Sequence, residues 1–324
     1  MHLIYFHRNL KAGYSINKVT QTFVRGIPDK EEYYVPCRRA SLRDILRNMW
    51  FVYKRRDKHG INHVTGDIHY CILALIGCKS VLTIHDTVAL HFAEGGRVKK
   101  FILEWLWFRL PIRFATKVVC ISEETKRCIL PFTKRDDIEV IHNAIDPIFE
   151  TKLKDESKPP YNVLFIGANP NKNLERTVLA LKDIPCKLTI IGKLNQEQID
   201  FLIQSGIDYI VKSGLSDEEM IREYEDCDIV SFISLFEGFG MIIIEANKVG
   251  RPVICSDIPV LKEVAGEGAF FVNPTDVADM HRGFERVLSD SELRKSLVEK
   301  GFKNAERFDV KKIQKQWLEF YKTV

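Results

Sequence analysis

Short apolar runs alternate with longer stretches whose apolar residues return at helical spacing, and the rhythm continues from Leu3 to the last residues. Runs rich in Val, Ile and Phe and bounded by polar turns predict buried parallel strands with helices between them. In the first half the pattern predicts strands near 2–6, 32–36, 61–65, 80–85, 117–121 and 138–141. Helices are predicted at 14–26, 41–58, 67–77, 97–114 and 122–131. The stretch from Thr151 to Pro160 breaks the rhythm: it is polar, charged and ends in two prolines, as a linker would. A second series predicts strands near 162–166, 187–191, 208–211, 228–233, 252–255 and 269–272. Helical patterns at 275–289 and 291–306 follow, and a last one runs from Asp309 to Val324. The fold class is α/β, with two doubly wound Rossmann-like domains. A chain of 324 residues exceeds the usual size of one core. The domains expected are 1–155 and 156–308, with a terminal helix over about 309–324.

In such sheets ligands bind beyond the carboxyl ends of the strands. His85, Ser122, Gly167, Gly192 and Glu237 each follow directly on a strand pattern. The most informative segment begins at the last of these. Glu237, Gly238, Phe239 and Gly240 form a bend between the apolar run Asp228 to Ile233 and a helical pattern that opens at Met241 and is ended by Gly250 and Pro252. A strand-to-helix turn of small residues aims backbone N–H groups and the positive end of a helix at one point, which favours a diphosphate there. Glu245 lies about one turn into this apolar helix, where an ionised carboxylate needs strong donors. A ribose diol supplies two.

Composition narrows the class. With 45% hydrophobic and 28% charged residues the chain is of ordinary globular type. Its eight cysteines are scattered and form no Cys-x2-Cys pair, which points to reduced thiols and a cytoplasmic setting. The N-terminal run is too short for a signal-peptide core, and no run approaches a membrane span. The net charge of +4 is uneven: residues 1–155 carry 26 Lys and Arg against 17 Asp and Glu, whereas residues 156–324 carry 22 against 27. A basic half suggests an anionic partner. Nucleic acid is disfavoured, since no zinc-finger, RNA-recognition or helix-turn-helix signature is present. Aromatic residues with a basic rim, between Arg97 and Arg113 and again between Arg38 and Lys58, suit either core packing or the inner face of an anionic membrane. His69, Cys71, Cys78 and His85 match no zinc-ligand spacing. Asp226 and Asp228 end a helix and enter a strand, and read as structural. No metal ion or other cofactor is expected.

The segment from Glu237 to Glu245 resembles the Glu-x7-Glu signature of retaining glycosyltransferases of family 4, which have the GT-B fold. The resemblance extends, in order, through Thr83 to Asp86, Val119 to Glu123, Val140 to Asp146, Phe165 to Leu174, Arg251 to Asp257, and Asn273 with Pro274. It implies two sheets facing an interdomain cleft, with the terminal helix crossing back onto the first domain. It implies a nucleoside-diphosphate sugar as donor and a hydroxyl of a glycan or lipid-linked acceptor, in the synthesis of cell-surface polysaccharide or lipopolysaccharide. In its terms Glu245 holds the ribose. Gly238, Phe239, Gly240 and Met241, with Lys172, face the diphosphate. Glu237 orients the donor sugar, and His85 hydrogen-bonds the transferred sugar. Gly167, Asn169, Asn171 and Gly192 build the phosphate turn, and Gly13 is the first domain's loop toward the phosphates. Ala168 and Asn171 stand where many members carry arginine, so the turn departs from the usual pattern. Two other readings share the architecture: a sugar-nucleotide epimerase and a non-catalytic nucleotide-binding protein.

Overall fold

The structure, a computed structural model, describes residues 1–12, 15–87, 96–154 and 158–324, apart from the side chains of Arg97 and Lys99. It divides into two compact units, Met1–Asp146 with Asp309–Val324, and Pro147–Phe308. The break therefore falls before the Thr151–Pro160 stretch rather than within it. Thr151 Oγ1 donates to the Lys248 carbonyl at 3.0 Å and Lys152 N to that of Val249 at 3.1 Å, so the start of this polar stretch is fastened to the second unit.

The first unit holds a six-stranded sheet of β1 (Leu3–His7), β2 (Lys30–Tyr34), β3 (Ile61–Val64), β4 (Ser80–Ile84), β5 (Lys117–Cys120) and β6 (Glu139–Val140). The second holds β7 (Tyr161–Ile166), β8 (Cys186–Ile191), β9 (Asp208–Lys212), β10 (Ile229–Phe232), β11 (Val253–Ser256) and β12 (Phe270–Val272). Every pairing is parallel, in the orders β2-β1-β3-β4-β5-β6 and β12-β11-β10-β7-β8-β9. Each order reverses direction once, between β1 and β3 and between β7 and β10. At such a switch point the loops leave on opposite faces and open a crevice at the carboxyl ends. All twelve strands overlap the strands expected from the sequence, with ends that agree to within a few residues.

Alternation along the first strands sets two layers. Ile4 and Phe6 face one core with the helix Leu42–Arg55, the turn His69–Leu75 and the segment around Phe108 and Ile112. Leu3 and Tyr5 face the other with Phe23, Ile313, Trp317 and Tyr321, from the helices Ser15–Val24 and Val310–Tyr321. The terminal helix is held by polar as well as apolar contacts. Tyr5 Oη donates to Tyr321 Oη at 3.0 Å, and the His63 ring lies 2.8 Å from Tyr321 Oη and 2.7 Å from Thr83 Oγ1. The Phe23 and Trp317 rings stack at 4.8 Å.

Two helical expectations are corrected. Residues 67–77 form a tight 3-10 turn, His69–Leu75, because packing on several sides overrides the local periodicity: Asn48 Nδ2 donates to Tyr70 Oη at 2.8 Å, and His69 Nδ1 to the Trp107 carbonyl at 2.7 Å. Residues 97–114 are not one α-helix but Gly96–Leu103, a π-turn Glu104–Arg109 and Leu110–Phe114. Pro111 has no N–H to give the Trp107 carbonyl four residues earlier, which widens the helix there. His69 supplies that carbonyl with a donor instead.

Candidate active site

The carboxyl ends of β7 and β10 flank the second unit's switch point, and the first turn beyond β7 is built around Gly167. Its φ of +109° is open to glycine, and a Cβ there would lie 2.8 Å from Lys172 Cγ. The absent side chain is what lets the Lys172 stem fold over the turn. Gly192, at the end of β8, does the same for its neighbour: a Cβ there would meet Ala168 Cβ at 3.0 Å. Asn169 precedes a single 3-10 turn, Pro170–Lys172, and its carbonyl accepts from Lys172 N at 2.9 Å. Asn171 joins the two turns, since its Nδ2 donates to the Phe236 carbonyl at 3.0 Å and its carbonyl accepts from Leu235 N at 2.7 Å.

Across the switch point Lys172 Nζ lies 2.6 Å from Glu237 Oε1, and the two side chains are 18% and 14% exposed. The same ammonium sits 4.8 Å from the centre of the Phe232 ring. A lysine from the β7 turn and a glutamate from the β10 turn are thus joined at the mouth of the crevice, as the sequence order could not show. Gly238 and Phe239 continue the bend. The Phe239 side chain turns away into the core, edge-on to Phe308 at 5.8 Å, which leaves only its backbone for a ligand. Gly240 has φ +118°, and a Cβ there would be 2.9 Å from Leu261 Cδ2. From it the helix Met241–Val249 begins, and the first N–H groups of a helix have no acceptor inside it.

Glu245 lies on that helix, partly buried, and Tyr224 Oη donates to its Oε2 at 2.7 Å. Tyr224 was not singled out by the sequence. It lies in the last turn of the helix Asp217–Asp226, is fully buried, and its phenol pKa is raised well above the usual value by burial and by the Glu245 charge. Asn173 was also missed as a site-former. It adopts the left-handed conformation at φ 65° and its Nδ2 donates to the carbonyls of Ile233 (3.1 Å) and Pro274 (2.7 Å). Asparagine between a lysine and a helix is the signal that was available, because Asn tolerates that conformation. Asp228 serves structure: its Oδ2 accepts from Asn162 N and its Oδ1 meets Lys154 Nζ, both at 2.7 Å.

In the first unit His85 follows β4. Its Nε2–H donates to the Thr65 carbonyl at 2.6 Å, which fixes the ring, and burial holds its pKa below the ordinary histidine value. Gly13 lies outside the described residues. Arg8, at the end of β1, was not anticipated: it is buried, its Nη1 is 3.7 Å from Asp67, and its Nε has no hydrogen-bond partner among the described residues.

Two doubly wound units, each with a six-stranded parallel sheet, have the GT-B architecture, and comparison with known proteins gives the class. Residues 11–149 match the family model described as Glycosyltransferase Family 4, and residues 148–304 that described as Glycosyl transferases group 1. The chain belongs to the glycosyltransferases of the GT-B class. It is 27% identical to an uncharacterized glycosyltransferase of Methanocaldococcus jannaschii over 75% of this chain and 69% of that one. It is 31% identical to the serotype-specific mannosyltransferase WbdA of Escherichia coli over 68% of this chain, but spans only 30% of that enzyme's length. Among solved structures, HepE of Anabaena in complex with UDP-glucose superposes with a TM-score of 0.80 at 15% identity over 100% of both chains. The sucrose-phosphate synthase of Thermosynechococcus elongatus gives 0.80 at 15% over 100% of this chain and 99% of that one. At such identities the likeness is one of fold. No helix among the described residues is long and apolar enough to cross a membrane.

Proposed function

We propose that the protein moves a hexose from a nucleoside-diphosphate sugar to a hydroxyl of a glycan or lipid-linked acceptor, with retention at the anomeric carbon, in cell-surface polysaccharide synthesis. The observation that carries the reading is the Lys172–Glu237 pair at the second switch point, next to a glycine bend that opens a helix. The mannosyltransferase names among the relatives support a hexose and a polysaccharide, and the UDP-glucose of HepE supports a diphosphate donor.

In this reading the donor diphosphate displaces Glu237 from Lys172 and lies against the helix start at Gly240 and Met241. Positive charge and oriented N–H groups then stabilise the charge that grows on the leaving phosphate. The bond between the anomeric carbon and the phosphate oxygen breaks, and the electron pair leaves with the diphosphate. The acceptor oxygen bonds on the same face, and its proton passes to the departing phosphate oxygen. Glu237 orients the donor sugar and Glu245 receives the ribose hydroxyls, held in place by Tyr224. His85 contacts the transferred sugar. No metal ion is required.

Alanine at Glu245 removes a charged acceptor worth about 1.5–3 kcal/mol, so the donor KM should rise on the order of ten- to a hundredfold with a smaller change in turnover. Glu237→Gln should mainly lower kcat. Wild-type constants in both variants would overturn the site. Product analysis with donor alone excludes the epimerase reading if no altered nucleotide sugar forms.

A further inference from the structure

The two layers of the first unit differ sharply in what they show to solvent. The helices Ser15–Val24 and Val310–Tyr321 contribute no exposed large apolar side chain among the described residues. The opposite layer shows many. On the helix Leu42–Arg55, Ile45, Asn48 and Val52 face the core, while Leu42, Leu46, Trp50 and Tyr53 are 72%, 58%, 59% and 47% exposed. At 3.6 residues per turn these four fall within an arc of roughly 80°, so they form a stripe. Arg43, Arg47 and Lys54, all exposed, fall along one edge of that stripe. The Trp50 and Tyr53 rings stack at 5.8 Å, with Lys54 Nζ 4.7 Å from the centre of the first ring and the Arg56 guanidinium 3.4 Å from that of the second. In the same layer Phe101 and Trp105, 60% and 40% exposed, add a second aromatic pair.

We propose that this layer docks the first unit on an anionic bilayer surface, with the stripe from Leu42 to Tyr53 entering the headgroup region. The inference rests on the glycosyltransferase reading only for its purpose, delivery of the site to a lipid-linked acceptor. Charge selects the occupant. Residues 38–58 carry eight Lys and Arg against two Asp, which repels a second copy of the same face and attracts anionic headgroups. Leucines at one end of an exposed helical stripe and stacked, cation-capped aromatics at the other match the interfacial environment, where rings and stems sit in the acyl boundary and charges reach outward. Nucleic acid fits poorly, because Leu42 and Leu46 offer a base neither a π face nor a hydrogen bond.

The test is co-sedimentation of the full chain with phosphatidylcholine vesicles and with vesicles containing an equal share of phosphatidylglycerol. The wild type should bind the anionic vesicles and bind them less at high salt. The variants Leu46→Glu with Trp50→Glu, and Arg43→Glu with Arg47→Glu, should each lower that affinity at least about tenfold, since each removes one of the two attractions. Their melting temperatures should match the wild type, because all four side chains are exposed. Indifference of the wild type to anionic vesicles, or wild-type binding by either double variant, overturns the proposal. So does light scattering that shows a wild-type dimer dissolved by both variants, which assigns the face to a second copy. Donor turnover measured without vesicles is a separate readout, so a failed glycosyltransferase reading shows as absent turnover whatever the vesicles do.

Discussion

Glu245 and Tyr224 show what a single contact adds to a motif. A glutamate on an apolar helix is legible as a ligand-facing group because its charge must be met by donors. Its buried partner is not legible, because Tyr224 lies 21 positions away on another helix and reaches it only in the folded unit. The phenol fixes one carboxylate oxygen and so the direction of the group. Tyr224→Phe should therefore raise the donor KM about three- to tenfold by loosening Glu245, while kcat changes little and the fold loses about 1 kcal/mol. Unchanged donor affinity in steady-state kinetics would show that Glu245 needs no such support. Phe239 is the opposite case. Its place between two glycines suggests a ligand contact, yet its ring packs on Phe308 and only its backbone remains for binding.

At the scale of elements, the central strands were legible to within a few residues because they are short apolar runs buried on both faces, where composition alone marks the segment, whereas the edge strands β2, β6 and β9 are partly exposed and carry charged residues. Helices that touch several partners were less legible. The His69–Leu75 turn and the π-turn Glu104–Arg109 depend on each other through the Trp107 carbonyl, a contact across 38 positions that no window of sequence contains. The terminal helix Val310–Tyr321 is held in the first unit chiefly by Trp317, which is 2% exposed and packs on Phe23, His63, Phe320 and Tyr321. Trp317→Ala should cost about 3–5 kcal/mol in urea unfolding, the usual range for deleting a buried aromatic. A loss below about 1 kcal/mol would mean that the helix is not seated there.

For the molecule as a whole, three buried histidines of the first unit tie stability to pH on the acid side. His63, His69 and His85 are all buried, and in each desolvation is the largest cause of a depressed pKa. Well above about pH 7 these rings are neutral in both the folded and unfolded chain and contribute no pH dependence. As the pH falls through the ordinary histidine value, about 6.5, the unfolded chain takes up protons that the folded unit refuses, so stability is lost on the acid side. Each ring contributes a slope of at most about 1.4 kcal/mol per pH unit. The thermal midpoint should accordingly drop steadily between pH 7 and 5, and His63→Gln should flatten part of that drop. A midpoint independent of pH across this window would contradict the burial of these rings.

The sequence by itself determined the α/β class, the twelve strands and the segments proposed to carry the site, because burial of parallel strands and the demands of a glycine bend leave local marks. Tertiary structure alone decided which turns meet. It brought Lys172 to Glu237 across a switch point and Tyr224 to Glu245, turned Phe239 inward, and drew the unit boundary at Asp146. The reason is physical: strand order and side-chain pairing are settled by packing between segments far apart in the chain, and no local pattern records them.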